Sequence, residues 1–258
     1  MFYPLFIRVG GRTTIAPVEE RAPSVGADHW SVEELPAAGR PLLRDRVARL
    51  VLRLLLGAVF RIEMTGLERI PRGRPAIYVA NHLGWLDPFL LLLLAPLAPR
   101  RFIIGDAAAT LKTGWRRAVI SPFRMFIPLE RAHPQGAFRA MERILEDGNS
   151  LLIFPEGQVG QEEGGVLPLQ SGVAHLATRT GYPVVAVGIS GSKDLWLRKH
   201  LRVHVGAVID PTSPRAQTPR ATRTLLLKEL RAAIVGSIRP LPEARGPRLF
   251  RHTLTTLL

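Results

Sequence analysis

Residues 78–89 read YVANHLGWLDPF. An apolar run suited to a strand, 76–80, ends in Asn81-His82, and a carboxylate follows five residues after the imidazole, at Asp87. On one continuous helix these two side chains would stand about 140° apart and would not meet. They converge only if the chain turns between them. Gly84 permits a bend, and Asp87 precedes Pro88, a residue suited to the first position of a helix. Strand, turn and apolar helix in succession are the building unit of an α/β sheet.

The rest of the chain repeats that alternation. Strands are predicted at 61–65, 76–80, 101–104, 125–129, 150–154, 183–189 and 201–208, and helices at 42–60, 88–94, 134–146, 171–180 and 219–237. The expected fold class is therefore α/β: a central mixed sheet covered by helices, with an N-terminal amphipathic helical segment. Residues 1–40 show Pro, Gly and acidic clusters without a period and read as an extension. Residues 41–240 form the expected domain, and 241–258 a basic tail with no assignable pattern.

The chain has 258 residues, 47% of them hydrophobic, which suffices for one good core. It has no cysteine, so disulfide and thiolate chemistry are excluded. The formal net charge is +14, and 31 of the 35 basic residues are Arg. GC-rich codon usage alone can favour Arg, but it does not explain the excess over acids. The first forty residues hold four Arg against five acids, so the positive charge belongs to the remainder. Such a surface favours anionic partners. The Arg residues lack interleaved aromatics, so nucleic acid is not expected among them.

The apolar runs at 50–60, broken by Arg53, and 89–99, containing Pro96, fall short of the about 20 residues a spanning helix needs. The opening MFYPLFIRVGG lacks the form of a signal peptide. The expected location is the cytoplasmic face of the cell membrane, held peripherally. In the helix at 42–60, Arg46, Arg49 and Arg53 share a stripe, and Leu43, Val47, Leu50, Val51, Leu54, Leu55 and Ala58 cover the other side. Two readings fit: a helix packed on the core with a solvated Arg face, or one lying on anionic headgroups.

An imidazole can take a proton from an alcohol near neutral pH, and a neighbouring carboxylate fixes its tautomer and stabilises the imidazolium. The plain alternative is that Asp87 caps a helix and His82 merely ends a strand. GISGS (188–192) is not a nucleophile elbow, since Ser192 stands where a Gly belongs, and there is no phosphate loop, dinucleotide fingerprint or metal-ligand spacing. The pair would have to act on a hydroxyl that arrives with a substrate. FIPLER (126–131), LLIFPEG (151–157) and YPVVAVGISG (182–191) each place Pro, Gly or charge at a strand end, where open α/β sheets gather ligands.

With NHLGWLD (81–87), IPLER (127–131), FPEG (154–157) and PVVAV (183–187) in that order, residues 42–210 resemble the glycerolipid acyltransferase family, the PlsC-like enzymes that acylate lysophosphatidic acid. The resemblance implies that His82 is the general base on the acceptor hydroxyl and Asp87 its orienting partner. It implies that Glu156 and Gly157 shape the acceptor end of the site and that Arg131 binds an acceptor phosphate. The partners it implies are a lysophospholipid acceptor, an acyl thioester donor (acyl-CoA or acyl carrier protein) and an anionic membrane surface. No metal or bound cofactor is expected. The chain departs from the family pattern at Gln158 and Val159, where Thr-Arg is usual, at Gln170, where Lys is frequent, and at Ala186, where a second Pro is usual. These departures leave open a different lipid alcohol, such as an aminolipid or glycolipid, or a non-catalytic lipid-binding relative.

Overall fold

A computed structural model of the chain describes residues 43–94, 98–106, 126–129, 134–241 and 247–256. The expected extension at 1–40 and Arg131 lie outside the described residues.

The described residues are organised by one seven-stranded sheet, in the order β1-β7-β6-β2-β5-β3-β4. The strands are β1 (Arg61–Thr65), β2 (Ile77–Ala80), β3 (Arg101–Asp106), β4 (Phe126–Leu129), β5 (Ser150–Ile153), β6 (Val184–Ser190) and β7 (His200–Ile209). β6, β2, β5, β3 and β4 run parallel; β7 is antiparallel to β6, and β1 is parallel to β7. The sheet is mixed, as the sequence leads one to expect. Every residue of β2 and β6 is buried, which is why they read as unbroken apolar runs instead of alternating ones.

Among the described residues the helices are α1 (Leu43–Val59), α2 (Asp87–Leu94), α3 (Pro134–Glu146), α4 (Gly172–Thr180), α5 (Pro219–Ser237) and α6 (Arg251–Thr256). On one face, Tyr78, Ala80, Val185, Val187 and Ile189 pack with Leu86, Leu90, Leu91 and Leu94 of the α2 region and with Leu56 of α1. Alternate strand residues point the opposite way, towards the side where α3 meets β5 and α5 meets β6. α5 starts where its sequence says it should: the Thr218 hydroxyl accepts from the Ala221 N–H, and Pro219 opens the first turn.

α2 ends against two arginines. Arg49 donates to the carbonyl of Leu93 (2.7 Å) and Arg101 to that of Leu92 (3.0 Å), which satisfies acceptors left free at the helix end. Burial, reinforced by the neighbouring Arg49, depresses the Arg101 guanidinium to about 9, so it stays cationic at neutral pH.

Those contacts correct the reading of α1. Arg49 is half-buried and turned towards α2, whereas Arg46 and Arg53 are exposed, so the three do not form one solvated stripe. Leu56 faces inward, with Leu52 and Val59 packed beside it. Leu43, Val47, Leu50, Val51, Leu54 and Leu55 are exposed, Leu43 to 76%. The sequence cannot distinguish this arrangement from its reverse, because both sides of the helix carry leucine. Among the described residues, no helix is long and apolar enough to cross a membrane.

The tail also differs from expectation. Residues 251–256 form α6, with Trp85 Nε1 donating to the Leu254 carbonyl (3.0 Å) and the Leu195 N–H to the Thr255 hydroxyl (2.9 Å).

Candidate active site

β2 delivers Asn81 and His82 to the C-terminal edge of the parallel strands. Asn81 is fully buried and bridges to β6 as a peptide would: Nδ2 donates to the Ile189 carbonyl (3.0 Å) and Oδ1 accepts from the Ile189 N–H (2.8 Å). This two-way bond fixes the point at which the chain leaves the sheet.

The chain then turns, and α2 begins at Asp87. The Asp87 carboxylate does not cap its own helix. The N–H groups of Phe89 and Leu90 bond to the Leu86 carbonyl instead (3.1 Å each). Asp87 Oδ2 reaches back, accepting from the backbone N–H of Leu83 (2.5 Å) and Gly84 (2.8 Å) and lying 2.9 Å from His82 Nδ1. Asp87 is fully buried and the His82 side chain is 19% exposed, so the imidazole reaches the surface with the carboxylate behind it. Asp87 Oδ1 is buried and has no hydrogen-bond partner among the described residues. The capping alternative is thereby excluded for the carboxylate: its ligands are the turn and the imidazole.

The bend at Gly84 does not use left-handed backbone. Glycine is there for room, since a Cβ would stand 3.0 Å from the Ser192 carbonyl oxygen.

The loop after β5 closes over His82. Phe154 stacks on the imidazole, ring centroids 4.2 Å apart and planes inclined by 22°. Glu156, 2% exposed, accepts from the His82 backbone N–H through Oε1 (2.9 Å) and from the Leu167 N–H through Oε2 (2.7 Å). Both of its oxygens are therefore engaged by backbone. Gly157 follows at φ 70, in a turn closed by its N–H on the Phe154 carbonyl (3.2 Å). That conformation favours glycine, and a Cβ would also meet Gln170 Cγ at 3.3 Å.

Gly160 completes the cover. Its N–H donates to the His82 carbonyl (2.7 Å), so both backbone groups of His82 are held by this one loop. The loop is in turn tied to the segment after β6. Glu163 accepts from the N–H groups of Gly191 (2.6 Å) and Lys193 (3.3 Å), and Lys193 Nζ donates to the Gly160 carbonyl (2.7 Å).

Of the residues singled out from sequence, His82, Asp87, Glu156 and Gly157 are thus brought together. Arg131 lies outside the described residues; β4, which precedes it in sequence, ends at Leu129. Asn81, Phe154 and Gly160 were missed. Asn81, a polar residue at the end of an apolar run, offered a signal in the sequence; Phe154 did not, because the ring it stacks on is 72 residues away. Gly160 had none. Among the described residues, no group of three His, Cys, Asp or Glu could hold a metal ion. Residues 154–170 contain no basic side chain, and Val159 is exposed.

A partly exposed imidazole, with Nδ1 committed to a buried carboxylate and Nε2 without a partner among the described residues, is an arrangement for taking a proton from an incoming hydroxyl. Known proteins with similar chains are acyltransferases by name. A 1-acyl-sn-glycerol-3-phosphate acyltransferase from Limnanthes alba is 28% identical over 172 residues, 63% of this chain and 59% of the relative. A chloroplastic one from Brassica napus, BAT2, is 28% identical over 57% of this chain and 42% of its own length. The human alpha form is 25% identical over 70% of this chain and 65% of its own. The chain spans about half the length of the two plant relatives. The crystal structure of the 1-acyl-sn-glycerophosphate acyltransferase PlsC from Thermotoga maritima shares the fold, with a TM-score of 0.57 at 21% identity over 75% of this chain and 81% of that one. The family model for acyltransferases matches residues 61–190, from the first residue of β1 to the last of β6, and the chain belongs to the acyltransferase family.

Proposed function

We propose that this protein is an O-acyltransferase that moves a fatty acyl group from an acyl thioester to the free hydroxyl of a lysophospholipid such as 1-acyl-glycerol-3-phosphate, as a step of phospholipid biosynthesis. The observation that carries the reading is the 2.9 Å contact between His82 Nδ1 and the buried Asp87. The names of the relatives support the acceptor class.

In this reading His82 Nε2 takes the proton of the acceptor hydroxyl as its oxygen attacks the thioester carbonyl carbon. A C–O bond forms, the C–S bond breaks, and the proton leaves with the thiolate as free thiol. Asp87 holds the tautomer and balances the transient imidazolium. A base positioned in this way contributes about 10²–10⁴-fold. Glu156 and Gly157 serve the acceptor end indirectly, by setting the backbone of His82 and the path of the covering loop. Arg131 is the candidate for the acceptor phosphate, because a guanidinium suits bidentate contact with it. Purified protein given radiolabelled acyl-CoA and a panel of lysolipids should form labelled diacyl product with lysophosphatidic acid. Absence of transfer to every lysolipid would overturn the reading.

A second acceptor class is favoured by one observation. Residues 154–170 carry no cation, which suits a lipid alcohol without an exposed phosphate. The same panel decides this, with monoacylglycerol, aminolipid and glycolipid acceptors as its other arms.

We further infer that the enzyme works at a membrane surface, on its cytoplasmic side, through the exposed apolar face of α1. Leu43, Val47, Leu50, Val51, Leu54 and Leu55 give an interfacial stripe, with Arg46 and Arg53 at its flank for anionic headgroups. Replacing Leu50 and Leu54 by Glu should abolish co-sedimentation with phosphatidylglycerol-containing vesicles. Unchanged binding would remove α1 from the interface.

A further inference from the structure

Two hydrophobic residues near the C-terminus stand in solvent. Leu249 is 54% exposed and Phe250 66%. Phe250 lies at φ 59, in the left-handed region where a bulky residue is a genuine outlier. Its carbonyl accepts from the Leu254 N–H (2.9 Å), so the same residue anchors α6. Strain of this kind persists only where the surroundings over-determine it, and it marks positions worth asking a purpose of.

The surroundings are basic. Lys199 Nζ lies 3.7 Å from the centre of the Trp196 ring, and the Arg248 guanidinium lies 5.1 Å from it. Arg198 is exposed beside them, at φ 64, and Arg251 pairs with Asp194 (2.8 Å). A leucine and an aromatic that follow Arg248 and are hydrogen-bonded beside Arg198 and Lys199 match an anionic lipid interface.

The tip also adjoins α1. The Leu249 carbonyl accepts from the Leu197 N–H (3.0 Å), and the next residue, Arg198, donates its N–H to the carbonyl of Val59, the last residue of α1 (2.6 Å). On its other side the segment reaches the catalytic turn. Trp85, between His82 and Asp87, donates to the Leu254 carbonyl, and the Leu254 side chain packs on the apolar cluster beneath.

We propose that residues 247–256 form a second membrane contact, in which Leu249 and Phe250 enter the lipid interface while Arg198, Lys199 and Arg248 face anionic headgroups, and that this contact seats the mouth of the His82 site on the bilayer. The proposal rests on the membrane reading of α1 and extends it to a part of the chain outside the matched family region.

The chain has no cysteine, so single reporters can be introduced cleanly. Phe250→Cys, Leu54→Cys and, at an exposed position beyond the far end of β7, Gln217→Cys are each labelled with a polarity-sensitive fluorophore. Each is mixed with phosphatidylcholine vesicles with and without phosphatidylglycerol. The Phe250 label should shift to the blue and be quenched by a lipid-borne quencher, more strongly with the anionic lipid, while the Gln217 label stays unchanged. A Leu54 label that enters while the Phe250 label does not overturns this proposal and leaves the α1 reading standing. If neither enters, both fall. In the unlabelled full chain, Phe250→Glu should lower transfer to a vesicle-borne acceptor about tenfold while sparing a short-chain acceptor in free solution. Equal loss on both acceptors would mean that the segment only braces Trp85, and would overturn the proposal.

Discussion

Glu156 and His82 are joined through the backbone of one and the side chain of the other: the His82 N–H donates to Glu156 Oε1 at 2.9 Å. The acid of the FPEG block thus acts on where the imidazole sits. Its second oxygen, on the Leu167 N–H, anchors the far limb of the same loop. Replacing Glu156 with Ala leaves two backbone donors without partners, each costing about 1–3 kcal/mol when buried. The expected result is a melting temperature several degrees lower and activity down at least tenfold. Glu156→Gln keeps one acceptor oxygen and should fall between. Thermal melts and transfer assays on both variants check the order.

Asp87→Asn separates charge from shape. The amide oxygen can still take the Leu83 and Gly84 N–H groups, so the turn should survive and the protein should fold. The negative charge behind the imidazole is lost, and with it the balance for the imidazolium. kcat should drop by more than a hundredfold with the acceptor KM little changed, because the imidazolium that the carboxylate balances forms only in the transition state. Steady-state kinetics on the folded variant test this.

Gly157→Ala probes the loop from another direction. At φ 70 an L-residue pays about 1–2 kcal/mol, and the new methyl would stand 3.3 Å from Gln170 Cγ. A stability loss of about that size by denaturant unfolding is expected, together with reduced transfer. Gly73→Ala, also at positive φ but with open space around it, should lose stability while sparing activity.

The alternation of strand and helix was legible because each period is written in the residues. β1, α3 and α5 fall at their predicted limits, and the other expected strands agree to within two residues at each end that lies in the described residues. The His82–Asp87 pair was legible once the Gly84 turn and Pro88 were read together. The inward side of α1 was not, because leucine lies on both sides and the deciding contact, Arg49 on the Leu93 carbonyl, joins residues 44 apart in sequence. α6 escaped because six residues show less than two turns of period, and it is held by bonds to Trp85 and Leu195 far back in the chain. The double use of Glu156 was hidden for the same reason: a carboxylate in sequence does not announce that both oxygens serve backbone.

The central claim is that His82 takes the acceptor proton, and the direct test is transfer by His82→Ala with a labelled acyl thioester and lysophosphatidic acid, measured beside the melting curve. The ring is partly exposed and its backbone bonds do not depend on its side chain, so the variant should fold. Transfer should fall by about 10²–10⁴-fold or more. A folded His82→Ala protein that transfers acyl groups at the wild-type rate would contradict the account.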